Sequence, residues 1–262
     1  MPGNILKVGC YGLLAVVWIL LIFFPILSIF DSVAVSDLVA GLGSPIVLKS
    51  IKVSAVSSGV SILVVVILGL PTAYFLSRYD FPGKMFLDTL LEIPMVLPPA
   101  VSGIALLLTF GRRGIIGGWL SGIGVNIPFS LAAVVVAQIF VAVPFFIRTV
   151  KCGFRGINKN MEKAAQTLGK SPWQVFLKVT LPLAMPSVIS GTVMAWARAL
   201  GEFGATLMFA GNMPDRTQTL PLAVYTAMET DFAAAMTISA IMVLISFFVL
   251  VLVKTISGKE PV

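Results

Sequence analysis

Long apolar runs separated by short polar segments make up most of this chain. A transmembrane helix needs about 20 consecutive, mostly apolar residues to cross the hydrocarbon core of a bilayer. The pattern therefore predicts an all-α, polytopic membrane protein with about six transmembrane helices, in one domain over residues 1–262. The predicted spans cover residues 8–30, 47–76, 86–110, 129–150, 183–209 and 232–253.

The polar segment between the fourth and fifth predicted spans, residues 151–182, is patterned like a surface helix. Four apolar or small residues recur there at helical spacing on one face: Met161, Ala164, Ala165 and Leu168. Glu162, Lys163 and Gln166 are predicted to point to the opposite side. Gly169 predicts the end of this helix.

A second short helix is predicted directly after that glycine. Ser171 can cap it, and Pro172 suits its first turn. Trp173 and Phe176 continue an apolar face, and two later prolines are expected to bend the chain towards the fifth span: Pro182 and Pro186. The two helices form either an interfacial element that rests on lipid headgroups or a stiff element that docks in a groove of a partner protein.

Composition and charge agree with a membrane location. The chain is 58% hydrophobic and 11% charged, so its apolar surface requires lipid as solvent. Seven of its 18 lysines and arginines lie between residues 148 and 178, and others follow the second and sixth predicted spans, among them Lys84 and Lys259. Because basic residues mark cytoplasmic loops, we expect a plasma-membrane protein with both termini and residues 151–182 in the cytoplasm. The net charge of +7 then requires no nucleic-acid partner.

The residue inventory limits the chemistry of the chain. It has no histidine and two cysteines, Cys10 and Cys152, which excludes histidine-based triads and histidine-ligated metal sites. No G-x-x-x-x-G-K-[ST] phosphate-binding loop occurs in the 262 residues. The chain is therefore not expected to hydrolyse ATP or to bind a metal or cofactor itself.

The stretch AAQTLGKSPWQVFLKVTLPLAMP resembles the cytoplasmic loop of permease subunits from ATP-binding-cassette importers. The family pattern reads Glu-Ala-Ala, three residues, Gly, and a variable stretch that ends in Leu-Pro. The family glutamate falls at Lys163, and Glu162 directly precedes it. The residues that match the pattern are Ala164, Ala165, Gly169, Leu181 and Pro182.

This resemblance implies a type I-like permease fold and a set of partners. The partners are a second copy of this chain, two ATPase subunits that use ATP and Mg²⁺, and an external substrate-binding protein. In the family, the loop helix inserts into a cleft of the ATPase subunit and transmits ATP-driven movement to the spans. The residues implied for this interface are Glu162, Lys163, Ala164, Ala165, Leu168, Gly169, Pro172, Trp173 and Phe176.

Three further stretches resemble the molybdate/tungstate branch of these permeases, which is close to the sulfate branch. They are FPGK, LEIPMVLPPAVSGIALLLTFG and ARALGEFGATLMFAGNMPDRTQTLPLAVYTAME. The resemblance implies that an oxyanion, molybdate or tungstate, crosses the membrane through this chain, with sulfate or thiosulfate as the alternative cargo. The outer loop at residues 211–231 suits docking of the external binding protein, or is simply a solvated loop.

Several residues inside the predicted spans are candidates for the pathway or its gate. Pro98, Pro99 and Ser102 lie in the third span, where prolines either shape a gate or only kink a helix for packing. Arg198 and Glu202 lie four residues apart in the fifth span, where they either border an outer gate or form a structural ion pair.

Two further patterns have open interpretations. Serines in the second span could bind an oxyanion or return hydrogen bonds to helix carbonyls; they are Ser54, Ser57, Ser58 and Ser61. Gly191, Ala195 and Ala199 form a small-residue face that favours close helix contact, either between subunits or within one chain.

Two other classes of membrane protein compete with the importer interpretation. A secondary transporter driven by ion gradients usually shows acidic residues deep in its spans and paired repeats, whereas here Glu202 is the single candidate and no repeat is visible. An intramembrane enzyme would need an acid–base or metal constellation, which the predicted spans do not contain.

Overall fold

A computed structural model describes residues 2–256, with side chains for residues 14–251 and 255. Lys259 of the predicted cytoplasmic C-terminus lies outside the described residues. The first helices are α1 (Pro2–Asp31), α2 (Val35–Gly43), α3 (Pro45–Arg78), α4 (Lys84–Val96), α5 (Pro99–Phe110) and α6 (Gly117–Gly122). The next are α7 (Leu131–Gly156), α8 (Lys159–Thr167), α9 (Pro172–Val175), a π-helical segment (Phe176–Thr180), α10 (Leu181–Leu200), α11 (Gly204–Ala210), α12 (Leu220–Thr230) and α13 (Phe232–Ile256).

Within residues 2–256, five continuous helical stretches are long and apolar enough to cross a membrane. They contain α1, α3, α7, α13 and the run from Pro172 to Leu200. The pair α4 and α5 supplies a sixth span if it is counted as one broken crossing. The prediction of an all-α protein with about six transmembrane helices is confirmed.

The third predicted span, residues 86–110, is divided into two helices. The axes of α4 and α5 differ by 117° across a two-residue break at Leu97 and Pro98. Consecutive prolines, Pro98 and Pro99, explain the break, because a proline removes a backbone donor and forces the preceding residue out of the helical region. Leu97 and Pro98 accordingly have extended backbone angles.

The fifth span begins earlier and ends earlier than its predicted bounds of 183–209. The predicted second loop helix, α9, continues through the π-helical segment into α10 without a break. Pro182 and Pro186 therefore lie inside a continuous helix, and the bend expected from them stays a prediction. A wider π-helical turn directly before Pro182 gives its ring space. The helix ends at Leu200, and residues 201–203 separate it from α11.

The packed centre of the bundle consists of α3, α7 and α10. Phe146 and Phe154 are fully buried there; the Phe146 ring lies against Gly69 of α3, and the Phe154 ring lies against the Tyr74 ring. A Cβ atom on Gly191 would lie 3.0 Å from Val150, and Ala195 and Ala199 are fully buried. The small-residue face of the fifth span therefore serves packing within one chain.

One glycine of α3 gives a direct test of this packing. A Cβ atom at Gly69 would lie 2.6 Å from the ring of buried Phe146, whereas one at Gly59 in the same helix meets no atom within 4 Å. Overpacking a core costs about 1–3 kcal/mol. We expect Gly69→Ala to lower the thermal unfolding temperature in detergent and Gly59→Ala to leave it unchanged or raise it. Equal effects of the two variants would contradict this packing.

Candidate functional site: an exposed helix and a pair of half-helices

Helix α8 ends at the glycine turn that its sequence predicts. The Asn158 side chain caps it by accepting a hydrogen bond from the Asn160 backbone N–H at 2.9 Å. Gly169 follows its end with φ of +78°, a conformation that glycine adopts at little cost. Ser171 and Gln174 then form a reciprocal capping box that starts α9. This chain segment is therefore a defined helix–turn–helix corner.

The corner exposes several apolar side chains beside its polar ones. Leu168 is 82% exposed and Trp173 is 67% exposed, and Met161 and Ala164 are exposed beside them. We call one set of these exposed residues the corner surface: Met161, Lys163, Ala164, Leu168, Gly169, Pro172 and Trp173.

Phe176 and Ala165, the other apolar members of the predicted interface, are half-buried. The Phe176 ring lies 4.8 Å from the Tyr74 ring and 6.3 Å from the Phe154 ring, measured between centroids. It also stacks on Trp173 at 5.7 Å. Phe176 therefore anchors the exposed corner to α3 and α7. Val175, which the sequence pattern did not single out, is buried in the same place.

Glu162 does not point away from the bundle, which corrects the prediction from helical periodicity. Its Oε1 atom accepts hydrogen bonds from Arg78 Nη2 at 2.7 Å, Arg78 Nε at 3.1 Å and Thr180 Oγ1 at 2.8 Å. The side chains of Arg78 and Glu162 are only 6% and 12% exposed. A buried carboxylate requires such partners, and Arg78 at the end of α3 supplies them. Lys163, its neighbour, is exposed as predicted.

Two further ion pairs lie near this end of the bundle. Lys151 of α7 donates to Asp88 of α4 at 2.8 Å, and Lys151 is almost fully buried. Lys84 donates to Asp80 at 2.7 Å, and this hydrogen bond and the lysine charge lower the pKa of the exposed Asp80 carboxyl. The Lys151–Asp88 pair fastens α4, the first half of the broken third span, to α7, the fourth span.

The two half-helices α5 and α11 pack closely side by side. A Cβ atom on Gly103 would lie 2.7 Å from the carbonyl oxygen of Ala205, and one on Gly204 would lie 2.7 Å from Pro99. Both helices therefore start next to each other, directly after their breaks. Among the described side chains, the buried hydroxyls of Ser102 and Thr206 lack a hydrogen-bond partner.

The second break, residues 201–203, is stabilised by the predicted pair of charges. Arg198 Nη1 lies 2.6 Å from Glu202 Oε2, and Glu202 is 1% exposed. Glu202 Oε1 also accepts a hydrogen bond from the Ala205 backbone N–H at 2.8 Å, which satisfies a backbone donor in the first turn of α11. The structure thus brings Pro99, Glu202 and Arg198 to the region where the two half-helices begin.

The four candidate serine hydroxyls of α3 form hydrogen bonds with other groups of the protein. Ser54 accepts from the Leu220 backbone N–H at 2.8 Å, and Ser58 accepts from the Trp196 indole at 3.0 Å. Ser61 donates to a helix carbonyl and to Gln138. All four serines are buried, so they join helices rather than line an open path. Among the described residues, no group of three or more His, Cys, Asp or Glu side chains could hold a metal ion.

Three relatives of known name resemble this chain over most of its length. "Molybdenum transport system permease protein ModB" of Mycobacterium tuberculosis is 43% identical, over 82% of this chain and 79% of its own. "Probable transport system permease protein NifC" of Clostridium pasteurianum is 37% identical, over 92% of this chain and 85% of its own. "Probable sulfate transport system permease protein cysT" of Nephroselmis olivacea is 32% identical, over 87% and 80%.

A solved structure shares the fold. It is a bacterial alginate ABC transporter in complex with an alginate pentasaccharide-bound periplasmic protein. One of its chains superposes with a TM-score of 0.75 at 15% identity, covering 99% of this chain and 98% of that chain. The model of the family described as "Binding-protein-dependent transport system inner membrane component" matches residues 65–259. The chain belongs to this family of integral membrane transport components.

Proposed function

We propose that this chain is the membrane-spanning permease subunit of an ATP-driven importer that carries molybdate or tungstate into the cell. The observation that carries the proposal is the 43% identity to a molybdenum permease over 82% of this chain. The corner surface supports it, because exposed apolar residues on a rigid corner need a protein partner or lipid to cover them.

The partners follow from what the chain lacks and what it exposes. Its 262 residues contain no P-loop motif, so ATP hydrolysis is assigned to two separate ATPase subunits that bind the corner surface of two copies of this chain. In this assembly α8 and both termini lie in the cytoplasm, in agreement with the lysines and arginines clustered between residues 148 and 178. An external binding protein delivers the oxyanion at the opposite face.

The region where α5 and α11 begin is the proposed gate. Discontinuous transmembrane helices place helix N-termini inside a membrane, where their partial positive charge favours an anion. Here the longer half-helix, α5, starts at Pro99 beside Gly204, and Arg198 lies close by with its charge partly exposed. Pro98 and Ser102 belong to the same break and first turn. We propose that opening this region admits the oxyanion.

Reconstituted complexes test the cargo directly. We expect radiolabelled molybdate to enter proteoliposomes only with ATP, the ATPase subunit and the cognate binding protein. Unlabelled tungstate should compete with it, and sulfate in large excess should not. Competition by sulfate as strong as that by tungstate would favour the second candidate, a sulfate permease, which the relative at 32% identity supports more weakly. Uptake that needs an ion gradient but no ATP would contradict the proposed function.

A further inference from the structure

Helix α8 is attached to the bundle mainly through one side chain. Glu162 is the single buried residue among the nine residues of α8, and the residues on both sides of it, Met161 and Lys163, are exposed. The helix otherwise packs against α9 and the π-helical segment, which follow it directly in the chain. The link between α8 and the distant helix α3 is the ion pair of Glu162 with Arg78.

A single oxygen atom joins three elements at this point. Oε1 of Glu162 accepts from both Nε and Nη2 of Arg78, the last residue of α3. The same atom accepts from the hydroxyl of Thr180, the last residue of the π-helical segment that leads into α10. One carboxylate of α8 is therefore bound to the second span and to the fifth span at once.

The physical character of this link differs from that of the ring contacts around it. Aromatic side chains such as Phe176 can slide over Tyr74 with little change in energy, because dispersion and hydrophobic contacts are not directional. A buried guanidinium and a buried carboxylate cannot separate without leaving both charges unpaired in a poorly solvated place. The Arg78–Glu162–Thr180 cluster is thus the stiff part of the attachment.

We propose that Glu162 is a positioning residue that makes α8, the end of the second span and the start of the fifth span move as one body. It does so from inside the bundle, without touching the ATPase subunit, although the resemblance places it in the coupling interface. This inference rests on the proposed function, since it needs an ATPase subunit bound to the corner surface. Displacement of α8 then moves both spans together.

The variant Glu162→Gln tests the proposal in the assembled complex in proteoliposomes. Glutamine keeps an acceptor oxygen but removes the charge that holds Arg78. We expect the number of ATP molecules hydrolysed per imported molybdate to rise about 10-fold, as expected for loss of a typical coupling free energy. Arg78→Gln should give the same ratio, and the double variant should add no further loss, because both substitutions break one ion pair.

Docking of the ATPase subunit is measured separately in the same complexes. A photoreactive label on Lys170→Cys, with Cys10 and Cys152 replaced by serine, reports contact with the ATPase subunit at an exposed position. We expect equal crosslinking in the parent complex and in the Glu162→Gln complex. Lys159→Gln removes an exposed charge from the same helix and should change neither crosslinking nor the ATP-to-molybdate ratio.

The outcomes separate this proposal from the function on which it rests. If ATP hydrolysis and uptake fall in proportion in Glu162→Gln, Glu162 has only a structural role and the proposal is wrong. If crosslinking disappears in that variant alone, Glu162 belongs to the docking surface, which also overturns it. Absence of crosslinking in the parent complex contradicts the proposed function itself. If the Glu162→Gln complex does not assemble, Thr180→Val, which removes one hydrogen bond to Glu162, is used instead. A rise in the ATP-to-molybdate ratio that is smaller than about 10-fold would support the proposal, and an unchanged ratio would contradict it.

Discussion

Leu168→Glu is expected to reduce ATP-dependent uptake at least about 100-fold while the permease still folds and inserts. The side chain is 82% exposed in the single chain, so the substitution removes no packing within the bundle. In the proposed assembly, it deletes the burial of a leucine, worth about 1.5–3 kcal/mol, and places a carboxylate in an apolar interface. Together these changes exceed the roughly 2.7 kcal/mol that correspond to a 100-fold loss.

The matched control for this variant is Gln166→Glu. Gln166 is exposed on the same helix, on the side away from the apolar face, and it lies outside the corner surface. It receives the same charge and should retain uptake and co-purification of the ATPase subunit. Loss of co-purification in Leu168→Glu alone would support docking at the corner surface. Uptake at the parental rate in Leu168→Glu would show that the corner rests on lipid or solvent instead.

Arg198→Gln is expected to destabilise the protein by about 3–5 kcal/mol, because it leaves the buried Glu202 carboxylate without its ion-pair partner. Glu202 is 1% exposed and lies 2.6 Å from the arginine. A neutral pair, Arg198→Gln with Glu202→Gln, should recover most of this loss, since the glutamine at 202 retains an acceptor for the Ala205 N–H. Thermal unfolding in detergent measures both effects.

The neutral pair also separates a structural ion pair from a gate. If Arg198 attracts the oxyanion, the double variant assembles normally but imports molybdate about 10-fold more slowly, the effect of losing one charge–anion contact. Its ATP hydrolysis without the external binding protein should stay at the parental level. Parental uptake by a stably assembled double variant would limit Arg198 and Glu202 to a structural role.

The hydrophobic pattern predicted a polytopic membrane protein and its number of crossings because the lipid environment restricts which backbone structures a segment can adopt. Every backbone donor and acceptor in a bilayer must be satisfied within a helix or by neighbouring protein, so an apolar run of sufficient length is a helix. The residues at helix ends were also predicted correctly from sequence. Gly169 ends α8 and Ser171 caps α9, because capping depends on residues within a few positions of the helix end.

The prolines of the third and fifth spans differ in whether they interrupt a helix. Pro98 and Pro99 divide the third span with a bend of 117°, whereas Pro182 and Pro186 lie within a continuous fifth span. A proline in a membrane helix frees a carbonyl group, and whether the helix breaks depends on what satisfies that group and gives space to the ring. The packing of α5 against α11 and the π-helical segment before Pro182 are properties of the folded chain.

Helical periodicity assigned Glu162 to the outer side, and the structure corrected this. Its partner Arg78 lies 84 residues earlier in the chain, and Thr180 belongs to the next helix. No signal within the α8 sequence distinguishes Glu162 from the exposed Lys163, because both lie off the apolar face. Similarly, Phe176 continues the apolar face of Trp173 in sequence but packs inward against Tyr74.

The pattern of residues predicts the approximate positions of the membrane-crossing segments, the glycine turn between α8 and α9, and, through resemblance, the family of transport components that includes this chain. Those features depend on hydration, helix spacing and backbone preferences, which act over a few residues to one helix length. The identity of the buried charged side chains and of the helix breaks that meet became known from the folded chain, because burial and pairing require groups from distant parts of the sequence to share one place. The Glu162 cluster and the junction of α5 with α11 are both of this second kind.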